Sequence, residues 1–231
     1  MKIALMIGTG SVEEFINDAE HHNQWWGDST SPEISQATDL TPRSDFHSVL
    51  KTTNAHYTDG VESLVYAVHG QTGIGKTTLL HQLIAALLNT TDFPQQNADL
   101  EITSEIEARQ ILYIPLEDSL YQLERPGDGI KRLNQVIDYF QTHVAPRQRQ
   151  KFILLDDVQA LDLDVDRKAE LLELVDENTY VFLTGNVESQ VDLSTTNSAS
   201  SVEEFELWPI LPMKFIDTVQ IGAGLEVDFD D

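Results

Sequence analysis

The stretch GQTGIGKTT, residues 70–78, restricts the possible folds more than any other part of the chain. It fits the pattern G-x-x-x-x-G-K-[ST]. The apolar run SLVYAVHG precedes it, short and β-branched enough for a buried strand, and Leu79, Leu80, Leu83, Ile84, Leu87 and Leu88 follow at helical spacing. A loop between a strand and a helix can turn its backbone N–H groups inward onto phosphate only where side chains do not obstruct it, and Gly70, Gly73 and Gly75 meet that need. The helix amino terminus adds positive potential. The expected nucleotide ligands are Gly70, Gln71, Thr72, Gly73, Ile74, Gly75, Lys76, Thr77 and Thr78. Lys76 would reach the β- and γ-phosphates of ATP, and the Thr77 hydroxyl would ligate Mg²⁺. A glycine-rich turn with no ligand is the plainer alternative, and it leaves the flanking strand and helix unexplained.

The pattern then alternates. Strands are expected at 64–69, 110–116 (QILYIPL), 151–157 (KFILLDD) and 179–185 (TYVFLTG), with helices over about 76–88, 129–143 and 165–175. Continuous apolar strands separated by helices imply a mostly parallel sheet covered on both faces, a three-layer αβα sandwich of the α/β class. After the polar run VESQVDLSTTNSASS, FELWPILP offers a fifth strand. Ahead of this unit, residues 11–26 read as an amphipathic helix with a Ser11/Glu14 capping box, GDSTSPEISQATDLTP as a linker, and RSDFHSVLKTT as a second short helix. The division expected is a helical lead-in with polar linker over 1–53, the nucleotide-binding domain over 54–220 and an acidic tail over 221–231.

A phosphate loop needs a partner carboxylate for the metal, delivered from the carboxyl end of another strand, and FILLDD supplies it. Asp156 is the expected Mg²⁺ ligand beside Thr77. The long interval between Lys76 and Asp156 holds QILYIPL and implies a further strand inserted in the sheet between the strands that carry them. Asp157 stands where such enzymes place the group that orients and deprotonates the attacking water. Aspartate is one methylene shorter than the usual glutamate, so it reaches that water only if the backbone sits closer or a second water relays the proton. A helix cap is the alternative reading of the pair. In FLTGN, Thr184 or Asn186 could hydrogen-bond the γ-phosphate or the lytic water, and an ordinary Gly-Asn turn is the alternative there.

With HGQTGIGKTTLL, ILYIPLED, FILLDDVQAL and VFLTGN in place, the chain resembles AAA+-like prokaryotic P-loop ATPases, of the archaeal group with a P-loop domain followed by a carboxyl-terminal domain of uncertain role. WPILPMKFID, NQWWGD and TPRSDF are similar to flanking segments of that group. The resemblance implies an additional-strand ATPase using ATP and Mg²⁺, with Lys76, Asp157 and Asn186 in catalytic roles. It departs from the group at Asp157, which puts rapid hydrolysis in question and raises the rival reading of a nucleotide-dependent binding switch. Phosphotransfer to a small molecule is disfavoured, because no acceptor pocket or lid motif is visible. The group continues past the last strand into a further domain, so a lid or target-binding part would come from a homo-oligomer or a separate partner chain.

The charge balance bears on setting and partners. Against 39 Asp and Glu stand 14 Lys and Arg, a formal net charge of -25. Self-repulsion of that size penalises the compact state in dilute buffer and is screened at molar salt, which points to a halophile's cytoplasm. It also argues against non-specific nucleic-acid binding. The apolar periodicity and 41% hydrophobic content argue for a folded acidic surface over a disordered chain. Zero cysteines exclude thiol chemistry, and MKIALMIGTGSVEEF carries neither a cleavage-site pattern nor a span-length apolar run, so a cytoplasmic protein with no membrane partner is expected. IGTGSVEE lacks the third glycine of a dinucleotide fingerprint, and adjacent His21 and His22 face different ways on a helix. Trp25 and Trp26 read as packing residues or walls beside the adenine. Arg147 and Arg149 precede their strand and belong to the edge away from nucleotide. Arg125, Arg167 and Lys168 follow strands and have no motif behind them. Glu117 and Asp118 end their strand at the nucleotide edge, where capping of the next segment is preferred to a role with metal or water.

Overall fold

Strand β1 (Ser63–His69) is buried from Ser63 to Val68, and β3 (Lys151–Asp156) and β4 (Thr179–Gly185) along their whole lengths. Such strands show no alternation of polar and apolar residues because both faces are covered. With β2 (Ile111–Pro115) and β5 (Glu204–Pro209) they form one sheet in the order β2-β3-β4-β1-β5, every pairing parallel. The strand inserted between β1 and β3 is thus β4, and β2, the next strand in sequence after the loop, lies at the sheet edge beyond β3. The structure, a computed structural model, describes residues 12–27, 31–88, 106–117, 128–161, 178–185 and 204–209. The expected helix at 165–175, the polar run after β4, the acidic tail, Ser11, Asp118, Arg125, Arg167, Lys168 and Asn186 lie outside them.

Successive strand residues point to opposite faces, which divides the core in two. On one face Val65, Leu112, Ile114, Ile153, Leu155, Val181 and Leu183 meet α5 (Asp128–Tyr139) through Ile130, Leu133, Val136 and Ile137, together with Ala19 of α1 (Val12–His22). On the other, Leu64, Tyr66, Val68, Phe152, Leu154, Tyr180 and Phe182 meet α4 (Lys76–Leu87) through Leu79, Leu80, Leu83 and Ile84, and α3 (Ser44–Asp59) through Phe46, Val49 and Leu50. At ~1.5–3 kcal/mol for each fully buried Leu, Ile or Phe, this packing outweighs helix propensity in holding twelve-residue helices such as α4 and α5 in place.

The amino-terminal region departs from the expected layout in three ways. GDSTSPEISQATDLTP is not wholly a linker: α2 (Pro32–Thr38) forms within it, with proline in its first turn and Ile34 and Ala37 buried. Gln82 of α4 donates to the carbonyls of Ala37 and Leu40 at 3.0 and 3.1 Å, which fixes α2 on α4. The second helix runs on from Thr53 to Asp59 and stops at Gly60, whose φ of 77° suits glycine. The first helix ends at His22 rather than Trp26, and a 3₁₀ turn (Gln24–Gly27) follows.

The cause of that early end is an attachment to the outer edge of β2. The Asn23 side chain donates to the Tyr113 carbonyl at 2.8 Å and accepts the Tyr113 N–H at 2.7 Å, 90 residues away, while also donating to Ala19 O at 2.7 Å. The indole N–H groups of Trp25 and Trp26 both donate to the Ile111 carbonyl, at 3.2 and 2.8 Å. Both tryptophans pack here against the core. Removing the Asn23 amide leaves buried backbone groups of Tyr113 without it, at about 1–3 kcal/mol per orphaned group. Asn23→Ala is therefore expected to lower unfolding free energy by about 2–3 kcal/mol in urea titrations, and an unchanged midpoint would show that this attachment carries no weight.

Candidate functional site

The loop leaves β1 at His69 and is tied to β4 at its first residue, where the Gly70 N–H donates to Gly185 O at 3.2 Å. Gly73 and Gly75 have φ of 80° and 95°. A Cβ at either would meet no protein atom within 4 Å, so glycine is required there by the left-handed backbone and not by crowding from the rest of the chain. Gly70 is not in that region of φ, and it is buried. The Leu79 N–H donates to Gly75 O at 3.0 Å. The amides of Lys76, Thr77 and Thr78 therefore come before the helical ladder and are the donors that an anion at a helix amino terminus uses.

Lys76 is 6% exposed, and its Nζ donates to Gly70 O at 3.2 Å and Gln71 O at 3.0 Å. Its ammonium is thus held inside the curl of the loop. Thr77 follows with its side chain exposed in the first turn of α4, and Gln71, Thr72 and Gly73 are exposed around the rim. Arg43, from the segment before α3, donates to Ile74 O at 2.6 Å while pairing with Asp45 at 2.9 Å, so the lead-in touches the tip of the loop.

β3 is parallel to its neighbours and so brings Asp156 to the same edge of the sheet as the loop. Asp156 is 5% exposed, and both of its oxygens accept hydroxyl protons: Oδ1 from Thr184 of β4, Oδ2 from Tyr113 of β2 at 3.2 Å. Burial and the Asp156 carboxylate push the Tyr113 phenol far above its ordinary pKa, so it stays a donor. The Tyr113 ring lies edge-on to His81 of α4 at 5.0 Å, and burial holds that imidazole below its ordinary pKa against the opposing pull of Asp156 and Glu33. Thr184 is fully buried, and its oxygen also accepts the Asp157 N–H at 2.8 Å. Its one proton is directed at Asp156, so the side chain orients the two acids.

Asp157 has φ 59°, a left-handed conformation that aspartate enters more readily than most residues because its short side chain bonds locally. Gln159 donates to its Oδ1 at 2.6 Å. Glu117, two residues beyond β2, hydrogen-bonds the Asp157 carboxyl and is held above the usual carboxylate range, first by the Asp157 charge, then by that hydrogen bond, with smaller effects of burial and Asp156 and an opposing one of Lys76. The structure thus gathers Lys76, Asp156, Asp157 and Glu117 at one sheet edge. Arg147 and Arg149 are exposed in the turn that enters β3, at the opposite edge. The sequence reading missed Arg43, Tyr113 and Gln159 as parts of this site, and set Glu117 aside.

The donor set suits a magnesium nucleotide. Two left-handed glycines and free first-turn amides make an anion nest, a buried ammonium lies in it, and a hydroxyl and a carboxylate oxygen are ligand types for a hard cation. Each Asp156 oxygen keeps a lone pair for metal or metal-bound water after accepting its hydroxyl proton.

A sequence family described as an AAA domain matches residues 62–217, which takes in the loop, both acids and β1 to β5. The chain belongs to that family. AAA membership makes this a nucleotide-binding ATPase domain of the P-loop kind, with the mixed α/β sandwich to match. No curated protein matches the chain. Among solved structures, that of C. elegans PCH-2 is similar with a TM-score of 0.36 and 14% identity, over 76% of this chain and 41% of that one. The chain thus spans about two-fifths of the length of that protein. No AAA-domain helix among the described residues is long and apolar enough to cross a membrane.

Proposed function

We propose that this AAA domain binds ATP with Mg²⁺ and hydrolyses it to drive a change on a macromolecular target, in the salt-rich cytoplasm of a halophilic archaeon. The observation that supports it best is the meeting, at one edge of the sheet, of the Lys76 loop with a buried carboxylate, Asp156, whose oxygens are both oriented by hydroxyl donors. In this reading residues 54–220 are the ATPase unit. Lys76 and the loop amides of residues 70–78 hold the β- and γ-phosphates, Thr77 and Asp156 hold the metal, and Asp157 orients the attacking water, assisted by Asn186. Magnesium supplies neutralisation of charge on the phosphates as the terminal bond breaks. A second copy or a separate chain supplies the lid or target-binding part.

One observation favours a slower, switch-like version: Asp157 is short, its backbone is fixed by Thr184, and Gln159 occupies one carboxylate oxygen. ATP turnover in molar KCl by the wild type, Asp157→Asn and Asp157→Glu separates the two. Substantial wild-type turnover, lost on the order of 10²-fold in Asp157→Asn, is the expected result. Turnover near zero that rises many-fold in Asp157→Glu would establish the switch instead.

A further inference from the structure

The geometry points to Glu117, at the end of β2, as the carboxylate that takes the proton from the attacking water, with Asp157 as the group that holds Glu117 in position. This rests on the nucleotide reading of the site given above. The difficulty it addresses is the missing methylene at Asp157. Glutamate on the neighbouring strand supplies the reach that aspartate lacks, and the parallel register makes the two adjacent. Pro115 pairs with Asp156, the Leu116 N–H donates to Asp156 O at 3.0 Å, and Leu116 is fully buried. The backbone just before Glu117 is thereby fixed to the backbone of the metal-binding acid, while the Glu117 side chain itself is exposed.

The partners of the two acids differ in a way that assigns their roles. Asp157 is anchored at its N–H by Thr184, at Oδ1 by Gln159 and through its carboxyl by Glu117, on a left-handed backbone. That is the environment of a group that orients another. Glu117 has the longer side chain, hydrogen-bonds the Asp157 carboxyl and feels the charges of Asp156 and Lys76. It remains open to solvent.

The step balances without any further reactant. The water oxygen bonds to the γ-phosphorus as the bond from that phosphorus to the bridging oxygen breaks. ADP leaves with the bonding pair, the water proton passes to the Glu117 carboxylate, and the exposed carboxyl releases it to solvent.

The test uses the full chain in molar KCl. Binding of a fluorescent ATP analogue and phosphate release from ATP are measured for wild type, E117Q, D157N, the double variant and K76A. E117Q is expected to keep wild-type affinity and lose on the order of 10³-fold in turnover, more than Asp157→Asn. D157N is expected to lose less, and the double variant no more than E117Q, because the second acid acts through the first. A readout without nucleotide accompanies this. The folded state disfavours the Glu117 charge, so the stability associated with its neutral form is present at acid pH and lost as pH rises through its raised pKa. E117Q should therefore raise the thermal midpoint at pH 7.5 and not at pH 4, and by less in the D157N background, where the largest of these effects is gone. E117Q at wild-type turnover overturns the proposal, as does a midpoint that ignores both the substitution and its partner. Lys76-dependent ATP binding with no wild-type turnover overturns it while leaving the nucleotide site in place. Unchanged affinity in K76A would sink the site itself, and Glu117 with it.

Discussion

Lys76→Ala is expected to reduce ATP affinity to background and to cost turnover on the order of 10²–10³-fold or more. The size of the effect follows from where the ammonium sits. It is buried and held by the carbonyls of Gly70 and Gln71, so its charge is delivered into the loop already oriented, at a point where solvent screens it weakly. Transfer of a phosphoryl group offers the protein little covalent work, and most of the rate comes from such fixed charges. The effect on folding should be small by comparison, because each carbonyl left behind loses one modest hydrogen bond of ~1 kcal/mol. A titration with a fluorescent ATP analogue, paired with urea unfolding of the same variant, separates loss of ligand from loss of fold. Wild-type affinity in Lys76→Ala would mean that nucleotide binds elsewhere.

Loss of cooperative folding below about 0.5 M salt is the second large effect expected, because screening of a net charge of -25 needs short Debye lengths. At 0.1 M ionic strength the Debye length is about 10 Å, whereas at 1 M it is about 3 Å. Few cations are available to offset the acids, and Arg43 is already committed to the loop tip and Asp45. Circular dichroism and thermal melts across a KCl series measure the effect directly. A sharp melt of undiminished midpoint in dilute buffer would remove the argument from charge.

The loop and the two acids were legible in the sequence because each is local. A glycine pattern between a strand and a helix, or acids at the end of an apolar run, can be recognised without knowing what lies beside it. Glu117 was not, because its meaning depends on β2 standing next to β3, and strand order in a sheet is a property of the whole chain. Tyr113 reads as one more apolar strand residue until β2 and β3 are paired and its hydroxyl is found on Asp156. Asp157 was framed in the sequence as a matter of side-chain length. Its left-handed backbone adds a second reason for aspartate, since the short side chain tolerates that conformation better than glutamate does. The segment around α2 was misread for a similar reason: its polar composition suggests a linker, and the surface that orders it, Gln82 on α4, lies far along the chain.

The attachment of Asn23, Trp25 and Trp26 to β2 bears on how the molecule keeps to itself while it folds. An edge strand with open N–H and C=O groups is a template on which another chain can grow a sheet, and parallel sheets expose such edges for longest because their pairings close late. Here the outward-facing carbonyl of Ile111 and both the N–H and the carbonyl of Tyr113 are taken up by the chain's own amino-terminal side chains. Because those partners are made some 90 residues earlier, they are already present when β2 leaves the ribosome, ready to occupy that edge before a neighbouring molecule does.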